Sequence, residues 1–117
     1  MRHRKKVRKL GRTKSHREAT LNNLFCALIM HESIKTTKGK ARALKRFVDK
    51  KVARAIKGDL NTKRELKSEL GSSKAYYKLF ETIVPQCKDR RGGYVRVVDL
   101  STGRRGDGTV ESIVEFV

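Results

Sequence analysis

Two hydrophobic periods divide this chain into elements. Leu21, Leu24, Phe25 and Leu28 recur at i, i+3, i+4 and i+7, with Ala27, Ile29 and Met30 widening the apolar face; this predicts an amphipathic helix ending near His31 or Glu32. Ser15-His16-Arg17-Glu18 has the form of a capping box, so the helix is expected to start there. A second helix, from about Lys38 to Lys57, carries Ala41, Leu44, Val48, Val52 and Ala55 on one stripe, with Ile56 and Phe47 beside it. Thr37 is placed to cap it, and Gly58-Asp59 to end it. Thr62-Lys63-Arg64-Glu65 repeats the capping-box pattern and opens a short polar helix that ends near Leu70-Gly71, anchored by Leu66 and Leu70. A further helix from about Ser73 to Val84 presents Tyr76, Tyr77, Leu79, Phe80, Ile83 and Val84, too apolar for a solvated surface, and Pro85 is expected to terminate it.

The remaining segments alternate with period two. Ser33 to Thr37 suits a brief β-branched strand, Tyr94 to Val98 a second, and Thr109 to Val117 a third, in which Ile113 and Val117 flank Glu115 while Val114 and Phe116 face the opposite way. Asp107-Gly108 is a turn signal, so the last two strands are expected to form an antiparallel hairpin with Arg104 and Arg105 at its tip. The predicted order is α-β-α-α-α-β-β. A chain of 117 residues fits one domain with one modest core.

Charge changes this picture. Residues 1 to 17 hold nine Lys or Arg and no carboxylate, with only Val7 and Leu10 as sizeable apolar residues. Such a run cannot fold alone and is expected to be disordered until a polyanion neutralises it, so the chain divides into a basic arm, 1–14, and a globular domain, 15–117. Up to residue 57 there are nineteen Lys or Arg against Glu18, Glu32 and Asp49, which leaves only +2 of the formal +18 for everything that follows. The first half looks built to bind and the second to fold.

Other signals exclude more than they assert. Cys26 and Cys87 stand far apart without metal-ligand spacing and read as small buried apolar residues. The apolar run 24–30 after a basic start resembles a secretory signal only superficially, because it is minimal in length, follows Asn22-Asn23 and lacks a small-residue cleavage site; nothing approaches the ~20 apolar residues of a membrane span. His31-Glu32 is half of a zinc-protease motif whose second His is replaced by Lys35. Residues 103–108 lack the order of a dinucleotide-binding glycine loop and sit between strands. No enzyme, metal site or cofactor is expected.

A phosphate backbone is the partner that the charge supports directly, since neutralising phosphates releases condensed counterions. The basic stretch 1–17 supplies Arg2, Arg4, Lys5, Lys6, Arg8, Lys9, Arg12, Lys14 and Arg17, and the second helix adds Lys38, Lys40, Arg42 and Lys45. RNA is favoured over DNA: no helix-turn-helix, zinc finger, zipper or aromatic RNA-recognition strand is evident, whereas an arginine-rich arm can fold onto an irregular RNA surface. A membrane-surface helix would need an apolar face that the arm lacks. Nuclear localisation would explain the arm but not the basic second helix.

Five collinear segments carry a family resemblance: MRHRKKVRKL, SHREATLNNL, HESIKTT followed by KARALKRFV, RRGGYVRV, and RRGDGTVESIVEFV. Together they resemble the bacterial large-subunit ribosomal protein seventeen family from the first residue to the last. The resemblance implies a non-catalytic, rRNA-binding ribosomal protein of α+β class, a two-layer α/β domain for which we expect a small three-stranded mixed sheet behind the basic arm. It implies large-subunit rRNA and neighbouring large-subunit proteins as partners, a cytoplasmic ribosomal location on the solvent side near the nascent-chain exit, and neither a membrane nor a small-molecule substrate.

By position it implies rRNA contacts at Arg2, His3, Arg4, Arg8, Lys9, Arg12, Ser15, His16 and Arg17. Lys35, Thr36, Thr37 and Lys40 follow, then Arg90, Arg91, Tyr94 and Arg96, and finally Arg104 and Arg105. Gly11 stands where many members of that family have Asn, and would let the arm bend closely against RNA. Residues 61–74 match weakly and receive no transferred function. The rival reading is a free nucleic-acid binder, an RNA chaperone or an architectural DNA-binding protein, acting away from ribosomes.

Overall fold

The computed structural model describes residues 9–117. Helix α1 spans Lys14–His31, strand β1 Ser33–Thr37, helix α2 Lys38–Lys57 and helix α3 Leu60–Leu70. A helical rod follows, made of α4 (Ser73–Lys78), a π-helical turn (Leu79–Ile83) and α5 (Val84–Cys87); strands β2 (Val95–Gly103) and β3 (Val110–Phe116) close the domain. The order is the one the periodicities predict, with the rod in place of the fourth helix.

The helix starts differ from the capping-box expectations. At α1 the N-cap is Thr13, without a side-chain cap, and Ser15 lies exposed inside the first turn. The α3 cap is Asp59, whose carboxylate accepts from the Thr62 backbone N–H at 3.1 Å, leaving Thr62 inside the helix and 7% exposed. Asp is as good an N-cap as Ser or Thr, and starting at Asp59 lets Leu60–Leu70 run three turns. Thr37 is the α2 N-cap as expected, though its hydroxyl makes no cap bond.

Pro85 does not end the fourth helix. The Val84 N–H donates to the Leu79 carbonyl, five residues back, and the helix continues to Cys87. A wide π turn just before a proline relaxes the ladder where the ring would otherwise strike the preceding turn. The rod's apolar side is Ala75, Leu79, Ile83, Val84 and Cys87, all buried; Tyr77, read from sequence as a core residue, is 53% exposed.

The sheet order is β1-β3-β2 with both ladders antiparallel, so the expected mixed sheet is wrong. Strands β1 and β2 do run the same way, but the hairpin return strand β3 inserts between them, and no parallel ladder forms. Alternation then fixes the faces: Ile34, Val114 and Val97 share one row, and Thr36, Ser112 and Asp99 the next, on the side toward the helices. Lys35, Ile113 and Val98 share a row on the open side, as do Ser33, Glu115 and Arg96. Strand β2 is longer than the pattern suggested, with an irregularity between Asp99 and Gly103. Gly103 is needed there, because a Cβ on it would lie 2.6 Å from the Gly108 carbonyl oxygen across the hairpin.

Helix α2 is the centre of the fold. Its predicted stripe, Ala41, Leu44, Val48, Val52 and Ala55, is buried to 1% exposure or less against α1, α3 and the sheet. The apolar run 24–30 is α1 core, with Phe25, Leu28 and Ile29 buried. Cys87 is buried and Cys26 half-buried; both are free thiols, and burial pushes the Cys87 thiol up. No helix among the described residues is long and apolar enough to cross a membrane.

Candidate nucleic-acid interface

Helical geometry sorts the cations of α2 into two flanks beside the buried stripe. Lys38, Arg42 and Lys45 follow one another at four- and three-residue steps on one flank, with Asp49 next in line; Lys51 and Arg54 lie on the other. The second flank faces α3, where Lys51 Nζ meets Glu69 Oε2 at 2.5 Å and Arg54 pairs with Glu65. Those cations are neutralised inside the domain. The first flank faces β2, where the carboxylates are few.

Two carboxylates, Asp99 on β2 and Asp49 on α2 itself, hold the flank in place. Asp99 accepts from the Ser112 hydroxyl at 2.5 Å and lies 3.4 Å from Lys38 Nζ. Its pKa is held below the ordinary value, first by the Ser112 hydroxyl and then by Lys38 and Arg42. Asp49 accepts from the Tyr94 backbone N–H at 3.1 Å, fixing the entry of β2 against α2; burial pushes its carboxyl up, and Tyr94 and Lys45 partly offset this. Between these two anchors Arg42, Lys45 and Arg46 of α2, with Val97 and Asp99 of β2, line a cleft of about 450 Å³. Arg42 and Lys45 are exposed and make no salt bridge among the described residues. Arg46 was missed at the sequence level, although its four-residue step from Arg42 puts it on the same side of the helix.

The depressed Asp99 carboxyl has a measurable consequence. An acid whose folded pKa lies below its unfolded value stabilises the fold above the unfolded pKa, here near 3.8, and loses that contribution as pH falls through the folded pKa. Thermal unfolding of Asp99→Asn, which keeps an acceptor for Ser112, is therefore expected to be less pH-dependent than wild type between about pH 5 and pH 2, the two curves converging at the acid end. A wild-type acid slope retained in full by the variant would show that Asp99 is not among the carboxylates responsible. Asp49 acts with the opposite sign, its ionisation opposing folding as pH rises through its raised pKa.

The other predicted contact residues are scattered around this flank. Lys9, Lys14 and His16 are exposed and Arg17 half-buried. Arg12 donates from Nη1 to the Leu10 carbonyl at 2.8 Å within a turn where Leu10 and Gly11 both have positive φ. That left-handed conformation is the one Gly and Asn tolerate best, so the Gly11 position is set by a turn in the chain. Lys35 is exposed on the open face of the sheet, Thr36 faces the helices, and Lys40 is half-buried on α2. Arg90 and Arg91 are exposed in the turn after Cys87, Arg96 pairs with Glu115, and Arg104 with Asp107, which holds the Asp107 carboxyl well below the usual range. Arg105 is exposed at the tip. Tyr94 is 4% exposed, and its hydroxyl donates to the Arg90 carbonyl at 3.3 Å, so its ring packs in the core and its polar end steadies the Arg90 turn. Arg2, His3, Arg4, Lys5, Lys6 and Arg8 lie outside the described residues.

Nothing in this arrangement assembles a nucleophile with a base, and no group of His, Cys, Asp or Glu able to hold a metal ion occurs among the described residues. What the fold and its charged flank define is a small basic scaffold protein of α+β class. The family model for ribosomal protein L17 matches residues 20–117, and the chain belongs to that family, whose members are structural and non-catalytic. The large ribosomal subunit protein bL17 of Thermus thermophilus is 44% identical over 117 residues, covering all of this chain and 99% of its own length. Its counterpart in Nautilia profundicola is 43% identical over 121 residues, covering all of this chain and 98% of its own. That of Chlorobium chlorochromatii is 43% identical across the whole chain, which spans 75% of that relative.

Proposed function

We propose that this protein is a structural constituent of the large ribosomal subunit in the cytoplasm, that it binds large-subunit rRNA, and that it packs beside neighbouring ribosomal proteins. The relatives' names support the ribosomal role, and the sorting of charge on α2 supports the RNA surface. Cations that face α3 are paired with Glu65 and Glu69, whereas Arg42 and Lys45 stay exposed beside β2 and form no salt bridge among the described residues. An aligned set of exposed cations in which positive charge exceeds negative is a surface that a polyanion completes. In this reading the arm, residues 1–14, runs along rRNA phosphates while α2 and the hairpin tip around Arg105 supply a second contact surface.

Sedimentation of a cell lysate at low and then high salt tests the assignment. The chain is expected in stoichiometric amount in the large-subunit peak, and to stay there through a high-salt wash, since a chain enclosed by its neighbours in an assembled particle exchanges slowly even where salt weakens its phosphate contacts. Recovery at the top of the gradient would replace this reading with that of a free nucleic-acid binder.

A further inference from the structure

Helix α3 carries its charges in two opposed rows. Glu65 and Glu69, one turn apart, point at α2 and are spent on Arg54 and Lys51. Lys63 and Lys67, also one turn apart, point the other way, onto the aromatic side of α4 and the π turn. Lys63 Nζ sits 5.8 Å from the Phe80 ring centroid and Lys67 Nζ 5.9 Å from that of Tyr76. Tyr76 in turn packs against Phe80 and Tyr77, with centroids 4.9 Å and 5.4 Å away. The outermost of these rings, Tyr77, is 53% exposed.

A large aromatic ring left this open, in edge contact with the Tyr76 ring that Lys67 overlies from a helix whose own carboxylates are turned inward, is not explained by packing. Lys74, one turn before Tyr77, adds a third exposed cation, and Glu81, one turn after it, is the single exposed carboxylate along that row of the rod. Unpaired nucleic-acid bases stack on such rings irrespective of sequence, and their phosphates pair with flanking Lys; Lys–aromatic contacts of this kind also keep the ring edges and cations preorganised. Helical RNA offers no such base face, because its bases are stacked on one another.

We propose that the α3–α4 face is a second RNA site, distinct from the α2 flank, where an unpaired rRNA base stacks on Tyr77 and Lys63 and Lys67 take its adjoining phosphates. The proposal rests on the RNA-binding reading above but uses none of the same residues. It assigns a role to the stretch 61–74, to which the family resemblance transferred none.

The chain has no Trp, so its emission comes from Tyr76, Tyr77 and Tyr94, of which Tyr77 is the exposed one, and the part of any quenching that Tyr77→Ala abolishes is the part that reports on stacking there. The full-length protein is titrated with single-stranded oligouridine and, separately, with an RNA duplex. Oligouridine is expected to quench tyrosine emission saturably; Tyr77→Ala is expected to weaken oligouridine binding about tenfold, measured by anisotropy of a labelled strand, and Lys63→Ala with Lys67→Ala to lower the salt slope by one to two units. Arg42→Ala with Lys45→Ala is expected to weaken duplex binding and leave the quenching intact. Duplex binding without oligouridine quenching, or oligouridine affinity unchanged in Tyr77→Ala, would overturn the stacking site and leave the α2 reading standing; the patch would then face a protein neighbour. Failure to bind either RNA would overturn both.

Discussion

Leu44→Ala is expected to cost about 3 kcal/mol of unfolding free energy and to lower the melting temperature by roughly 10–15 °C. Leu44 is fully buried at the middle of the α2 stripe, where the helix is packed by the sheet on one side and by α1 and α3 on the others. Removing its isobutyl group forfeits the transfer free energy of burial and leaves a cavity that three separate elements would have to move to fill. Leu60→Ala is the control: Leu60 is 63% exposed at the start of α3, and its loss should change stability by no more than about 0.5 kcal/mol. Urea and thermal unfolding followed by circular dichroism measure both. A Leu44→Ala cost below about 1 kcal/mol would mean that α2 is not the element the core is built on.

Reversing charge on the β2-facing flank of the same helix should abolish much of the binding, at a cost in stability well below that of Leu44→Ala. Arg42→Glu with Lys45→Glu removes two exposed cations that make no salt bridge among the described residues and places two anions beside Asp99 and Asp49. At low salt the affinity for a large-subunit rRNA fragment is expected to fall at least about a hundredfold, because a charge-assisted contact to phosphate is worth about 1.5–3 kcal/mol and each of the two is replaced by repulsion. The dependence of log affinity on log salt should flatten by about two units, one for each phosphate no longer neutralised. Lys51→Ala with Arg54→Ala should do the reverse, weakening the α2–α3 contact while sparing RNA affinity, since those side chains are already held by Glu69 and Glu65. Equal affinity and equal salt slope for wild type and the reversed variant would remove this flank from the RNA surface.

Local patterns carried much of this structure in readable form. The five buried residues of α2, its Gly58 stop in the left-handed conformation and the β1 limits all follow from periodicity and from glycine's tolerance of positive φ. The helix starts were less legible because several residues near each start can cap: Asp59 competes with Thr62, and Thr13 with Ser15, and the outcome depends on where the helix must begin to place its apolar face. Tyr77 and Tyr76 look alike in sequence, yet one is exposed and the other half-buried, because a hundred-degree step around the rod separates a ring that meets α3 from one that does not.

The candidate site divides in the same way. That the chain is basic, that its cations concentrate before residue 58, and that Lys38, Arg42 and Lys45 share a helix flank are consequences of composition and a 3.6-residue repeat, and the sequence alone determined them. Which cations remain available was decided only by tertiary packing. Glu65 and Glu69 stand far along the chain from Lys51 and Arg54 and meet them only when α3 folds back on α2, just as Ser112 reaches Asp99 and Tyr94 reaches Asp49 only across the assembled sheet. Periodicity is a property of one element, but neutralisation is a property of two brought together, and no local pattern encodes which two.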